Sequence, residues 1–162
     1  QLYRKMIVQS ISDGDAALMS AIAGEIGNNC FDHNLGQWKD VSGCWFQCEF
    51  SKENIWIVIA DRGQGVLSSL QSVQPHLHSD QEALEMAFHK RVSGRSPERR
   101  GNGLKFVRNV INGEQRRGIF FASRDGEIGF GALADRCKEE VHGVSNTKAT
   151  FGTFAFILWS LA

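Results

Sequence analysis

The sequence predicts an α+β fold, a two-layer sandwich of helices laid on a sheet. Three observations predict it. A long segment near the start carries apolar residues at helical spacing. Two strand-like segments follow it, one alternating and one nearly all apolar. Further strand segments cluster in hairpins, with helices mixed among them.

The elements follow in order. Asp13-Gly-Asp15 reads as a turn that starts a helix, and Leu18, Ile22, Ile26, Cys30 and His33 then recur at helical spacing. The helix is expected from Asp15 to about Asn34, with Gly36 ending it. Cys44, Phe46, Cys48 and Phe50 alternate with Trp45, Gln47 and Glu49, as in a half-buried strand. Ile55-Trp-Ile-Val-Ile-Ala60 is rich in β-formers and reads as a central strand. Ser79-Asp-Gln-Glu82 resembles a capping box ahead of Ala83, Leu84, Ala87 and Phe88. Leu104, Val107, Val110 and Ile111 form another helical stripe, opened by Gly101-Asn-Gly103. Ile119 to Ser123 and Glu127 to Phe130 are expected to pair as a hairpin turning at Asp125-Gly126. Thr153 to Trp159 is a last strand. Both prolines, Pro75 and Pro97, and several serines fall between Val66 and Arg100, which reads as a long mobile connection.

Composition bounds the function. The 162 residues suit one compact domain, and 42% hydrophobic residues suffice for a core. Lys+Arg and Asp+Glu each total 18, so no global basic field points to nucleic acid. No apolar run approaches the ~20 residues that span a bilayer. The chain begins at Gln1, which points to a trimmed chain. The four cysteines, Cys30, Cys44, Cys48 and Cys137, form no CxxC pair and no zinc-ligand set. Scattered thiols of this kind lead to the expectation of a reducing, cytoplasmic setting. Of the four tryptophans, Trp38, Trp45, Trp56 and Trp159, core positions are expected, and an exposed one would mark an interface.

Three motifs carry chemistry. On the long helix, Glu25 and Asn29 are four apart and share a face with the apolar Ile22 and Leu18. A carboxylate and an amide set toward the interior call for a ligand, a metal or a water network. Asn offers a neutral oxygen suited to Mg²⁺, and Glu can polarise a water for attack on a phosphate. Next, Asp61-Arg-Gly63-Gln-Gly65-Val66 follows the apolar strand directly. An Asp at a strand end can accept a hydrogen bond from an exocyclic amine, and flanking glycines let a ligand approach. Last, Arg99-Arg100-Gly101-Asn102-Gly103-Leu104 opens a helix. Free N–H groups, glycines and arginines there make an anion site. Each motif alone also has an ordinary reading, as a helix polar face, a turn or a glycine hinge.

Their order is more specific. ExxxN on a helix, then DxGxG, a variable stretch, GxGL opening a helix, and Gly152-Thr153 before a final strand resembles the signature of the GHKL ATPase superfamily. That superfamily includes gyrase, a heat-shock chaperone, histidine kinases and the mismatch-repair MutL proteins. The resemblance runs from about Asp15 to Trp159. The short stretch between the glycine motifs and the segment Asn29-Cys-Phe-Asp-His33 look most like the anti-sigma-factor kinases and stand-alone histidine-kinase-like ATPases.

The resemblance implies a Bergerat α/β sandwich with a mixed, mainly antiparallel sheet, binding ATP and Mg²⁺. It implies Glu25 as general base and Asn29 as Mg²⁺ ligand. Asp61 would read adenine, with Gly63, Gly65 and Val66 beside the base and Thr153 joined to Asp61 through water. Arg100, Gly101, Asn102, Gly103 and Leu104 would lie along the phosphates, and residues 66–100 would form a lid. The chain departs from the pattern at Asp32, where many histidine kinases carry a basic residue. Phosphate charge then falls to Arg95, Arg99, Arg100 or Lys105. The second glycine motif also lacks a further glycine common in histidine kinases, and none of the histidines has a phosphoacceptor context.

The function expected is therefore an ATP-dependent protein kinase, with a phosphoacceptor or regulated factor as protein partner and a homodimer possible. Two alternatives stand beside it: a nucleotide-gated interaction switch with little turnover, and an ATP hydrolase of the gyrase or MutL type. Neither a membrane nor a nucleic-acid partner is expected.

Overall fold

A computed structural model describes residues 1–90, 102–144 and 151–161. Among them are six helices and a five-stranded antiparallel sheet. The helices are α1 (Leu2–Val8), α2 (Asp13–Asp32), α3 (Gly65–Gln71), α4 (Asp80–His89), α5 (Gly103–Asn112) and α6 (Ala134–Val144). The strands are β1 (Cys44–Phe50), β2 (Asn54–Asp61), β3 (Arg117–Ser123), β4 (Gly126–Phe130) and β5 (Thr153–Ser160). Their spatial order is β1-β2-β5-β3-β4, and every neighbouring pair is antiparallel. The expectation of a mixed sheet is corrected: these strands meet through hairpins or long returns, so none runs beside a parallel neighbour.

The pleat sorts the residues of β2, β3 and β5 between two faces. Ile55, Ile57, Ile59, Ile119, Phe121, Ala155, Ile157 and Trp159 join the main core with Met19, Ile22 and Ile26 of α2, Leu84 and Phe88 of α4, and Val107 and Ile111 of α5. The alternate residues Trp56, Phe120, Ala122, Phe154, Phe156 and Leu158 pack with Leu133, Cys137 and Val141 of the α6 segment. That second cover was not expected from a two-layer plan. The sheet, though, leaves its other face apolar, and α6 shields part of it.

Local chemistry sets the helix ends. Ser12 caps α2, its side chain accepting from the Asp15 N–H. Ser79 caps α4 by accepting from the Glu82 N–H at 3.2 Å. The Glu82 carboxylate turns back to the N–H of His78, one residue ahead of the cap. The β3–β4 hairpin turns at Arg124 and Asp125, since Ser123 already pairs with Gly126. The expected Asp125-Gly126 turn is thus one residue late, and it is Arg124 that adopts a left-handed φ of 53°. Arg117, at the start of β3, is buried. It stacks 4.0 Å over Trp159, donates to the Val110 carbonyl and pairs with Asp15 at 3.4 Å. One guanidinium thus joins the start of α2, the end of α5 and β5.

Of the tryptophans only Trp159 is fully buried; Trp45 is 66% exposed on the edge strand β1, so its expected core position is corrected. No described helix is long and apolar enough to cross a membrane.

Candidate nucleotide site

Antiparallel register brings one end of four strands together. Cys44 at the start of β1 lies opposite Asp61 at the end of β2, and Thr153 at the start of β5 lies opposite Ser123 at the end of β3. The C-terminus of α2 and the loop leading into α3 meet at this same end, through hydrogen bonds around Asp61.

Asp61 is the centre of that junction and is only 5% exposed. Its Oδ1 accepts from the Gly63 N–H at 2.7 Å and from the Asn34 side-chain amide at 3.0 Å. Its Oδ2 accepts from the Thr153 hydroxyl. The link between Thr153 and Asp61 is therefore direct, where a bridging water had been expected: adjoining strands β2 and β5 bring the two side chains within reach of one another. Asn34 also donates to the Cys30 carbonyl at 2.8 Å and accepts from the Gln64 N–H at 2.9 Å. A Cβ on Gly63 would coincide with the Asn34 amide, so glycine is required there by space. Gly152 has φ 68°, and a Cβ on it would strike the Asp61 backbone.

The carboxylate leaves a mark on its neighbours. Burial, followed by the charge of Asp61, pushes the Cys30 thiol far above its ordinary range. Cys44 is raised by the same two causes in the same order. Both thiols stay protonated near neutrality and serve as small packing groups beneath the carboxylate.

The second cluster lies farther back along α2. Glu25 is half-buried, and a Cβ on Gly103 at the start of α5 would meet its Oε2. The carboxylate thus lies against the first turn of a helix whose leading N–H groups have no intrahelical acceptor. Asn29, also half-buried, follows one turn after Glu25. Leu104 belongs to α5 and packs against the core, and Asn102 is exposed as its N-cap residue. Arg100 and Gly101, together with Arg95 and Arg99, lie outside the described residues. Gly65 takes φ 80° and starts α3, and the Val66 N–H donates to Ser123 Oγ at 2.9 Å.

The segment expected as a lid carries two helices, α3 and α4, over its described part, residues 66–90. Leu70, Leu77, Ala83 and Ala87 form a small core of their own there. Ser69 Oγ lies 2.8 Å from His33 Nδ1, tying α3 to the end of α2.

Sequence reasoning did not single out Asn34 or Ser123. An Asn after a helix ordinarily reads as a C-cap, and both act through partners tens of residues away that no local pattern announces. No family model matches the chain, and no curated protein matches it either.

Proposed function

We propose that this chain binds Mg-ATP at the end of the sheet and acts as a protein kinase of the anti-sigma-factor or histidine-kinase type. The observation that carries the reading is that α2 joins two chemically distinct clusters. Asn34 meets Asp61 and Gly63 at one end, and Glu25 meets Gly103 at the other. Nine residues of near-helical backbone separate them by roughly 13 Å, on the scale of a nucleoside with its phosphate chain. The packing of α2, α4 and α5 together on one face of the sheet also supports the finer reading of the fold as Bergerat.

The residues fit the ligand. A carboxylate has about four lone-pair positions; three N–H and O–H donors occupy Asp61, and the Cys30 thiol, a weak donor, also reaches it. The exocyclic amine of adenine, a stronger donor than the thiol, can take the remaining position on Oδ2. Mg²⁺ keeps most of its waters and takes only one or two protein oxygens besides phosphate, so the amide oxygen of Asn29 suffices. When bound, Mg-ATP supplies the phosphoryl group and the cation offsets its charge. The chain then has to hold the base, orient the phosphates against the first turn of α5, and accept the proton of the attacking hydroxyl at Glu25 Oε2.

Glu25→Gln is expected to leave Mg-ATP binding within about threefold and to cut phosphate release or transfer by about a hundredfold or more. Single-turnover assays with γ-labelled ATP, alone and with candidate acceptor proteins, measure this. Unchanged turnover would remove Glu25 as the base.

One observation favours a second reading, a nucleotide-gated switch. The segment after the Asp61 loop is tied to its surroundings by Val66 to Ser123 and by Ser69 to His33. A ligand at Asp61 would be felt directly by α3. In that case Glu25→Gln leaves nucleotide-dependent partner binding intact.

A further inference from the structure

We infer that Asn34 is a positioning residue that sets base selectivity by holding Asp61 in one orientation. The inference rests on the nucleotide reading above and concerns which base the site accepts.

Asn34 is 4% exposed, and three hydrogen bonds fix which way its amide points. Its oxygen is claimed by the Gln64 N–H. Its nitrogen must therefore face the Cys30 carbonyl and Asp61 Oδ1. Reversing the amide would set oxygen against two acceptors and nitrogen against a donor. The absent Cβ of Gly63 makes the space that the amide fills. With the Gly63 N–H also on Oδ1, that oxygen is saturated. Recognition is left to Oδ2, beside the Thr153 hydroxyl. A carboxylate oxygen fixed in place takes an amine on the base and opposes an oxo group, because two acceptors then face each other. Asn34 thus does more than close a loop. It keeps the carboxylate from turning to offer a different edge.

The discriminating probe is the ratio of affinities for Mg-ATP and Mg-ITP, two triphosphates that differ at this position of the ring by an amine or an oxo group. Wild-type protein is expected to prefer ATP by about tenfold or more. In Asn34→Asp, a second carboxyl group faces Asp61 Oδ1 in place of the amide donor, and repulsion between the two acceptors releases Asp61 from its wild-type orientation. The preference is then expected to fall to about threefold or less, through weaker ATP binding with ITP little changed. Asn34→Ala frees Asp61 without adding charge and is expected to narrow the ratio as well. Thermal unfolding establishes that each variant tested is folded. A folded Asn34→Asp or Asn34→Ala protein with the wild-type ratio overturns the inference, even if both nucleotides bind more weakly, because uniform weakening marks a structural tie alone. Wild-type protein that binds ATP and ITP equally well also overturns it, while wild-type protein that binds neither removes the nucleotide reading itself.

Discussion

Gly103 shows how one missing atom can separate stability from function. It opens α5, where alanine would be the better helix former by up to about 1 kcal/mol. Yet a Cβ there would push against the Glu25 carboxylate, the end of a flexible side chain. Gly103→Ala is therefore expected to melt at or slightly above the wild-type temperature while losing most phosphate turnover. Calorimetric unfolding and a turnover assay on the same sample check both halves. A variant as active as wild type would mean that the position of Glu25 against α5 has no bearing on the reaction. Gly152 behaves differently. Its φ of 68° and the Asp61 backbone beside it leave no cheap way to add a side chain.

At the scale of elements, α4 depends on its cap. Ser79 satisfies the Glu82 N–H, and Glu82 answers to His78. Ser79→Ala is expected to cost about 1 kcal/mol, read as a lower urea midpoint at unchanged slope. The same helix was legible in the sequence because serine, glutamate and a four-residue apolar stripe agree. So were α2 and α5 from helical spacing, β1 from alternation, β2 and β5 from apolar runs, and β3 with β4 from a hairpin turn. The helices α1, α3 and α6 were not foreseen. In α1 only Met6 is buried, and α3 is short and rich in serine. The apolar residues that the α6 segment sets against the sheet are Leu133, Cys137 and Val141, a single row too thin to stand out among charged neighbours. The site was legible as residue types but not as a junction. Glu25, Asn29 and Asp61 announced themselves by polarity next to apolar runs. Asn34 became visible only when α2 and the Gly63 loop were set side by side.

At the scale of the whole molecule, one buried and one half-buried thiol make alkaline stability a readout of packing. Burial pushes Cys48 up to about 11 and Cys137 up to about 12. In the unfolded chain both ionise near the ordinary thiol value of about 8.5. Between the unfolded and folded values the native state keeps protons that the unfolded state has lost, so stability falls as pH rises. Below the unfolded value these groups contribute no pH dependence. Unfolding free energy, followed with reductant present, is expected to be flat in this respect near neutrality and to decline above about pH 8.5, by up to ~1.4 kcal/mol per pH unit for each such thiol. Cys137→Ala is expected to lower stability near neutrality and to make the alkaline decline shallower, so that its deficit shrinks as pH rises. An unchanged slope would show that Cys137 ionises as readily in the folded protein as in the unfolded chain.

The central claim is that the Asp61 junction, joined through α2 to Glu25, receives an adenine nucleotide. Calorimetric titration of Mg-ATP into wild-type protein and into Asp61→Asn tests it most directly. Asn keeps the size of the side chain but replaces one accepting oxygen with a donor, so it loses the charge and part of the acceptor set. Wild type is expected to bind in the micromolar-to-millimolar range. Asp61→Asn, shown to be folded by its thermal transition, is expected to bind at least about tenfold more weakly, a difference of about 1.4 kcal/mol. Equal binding by the two proteins, or no binding by wild type, would contradict the account.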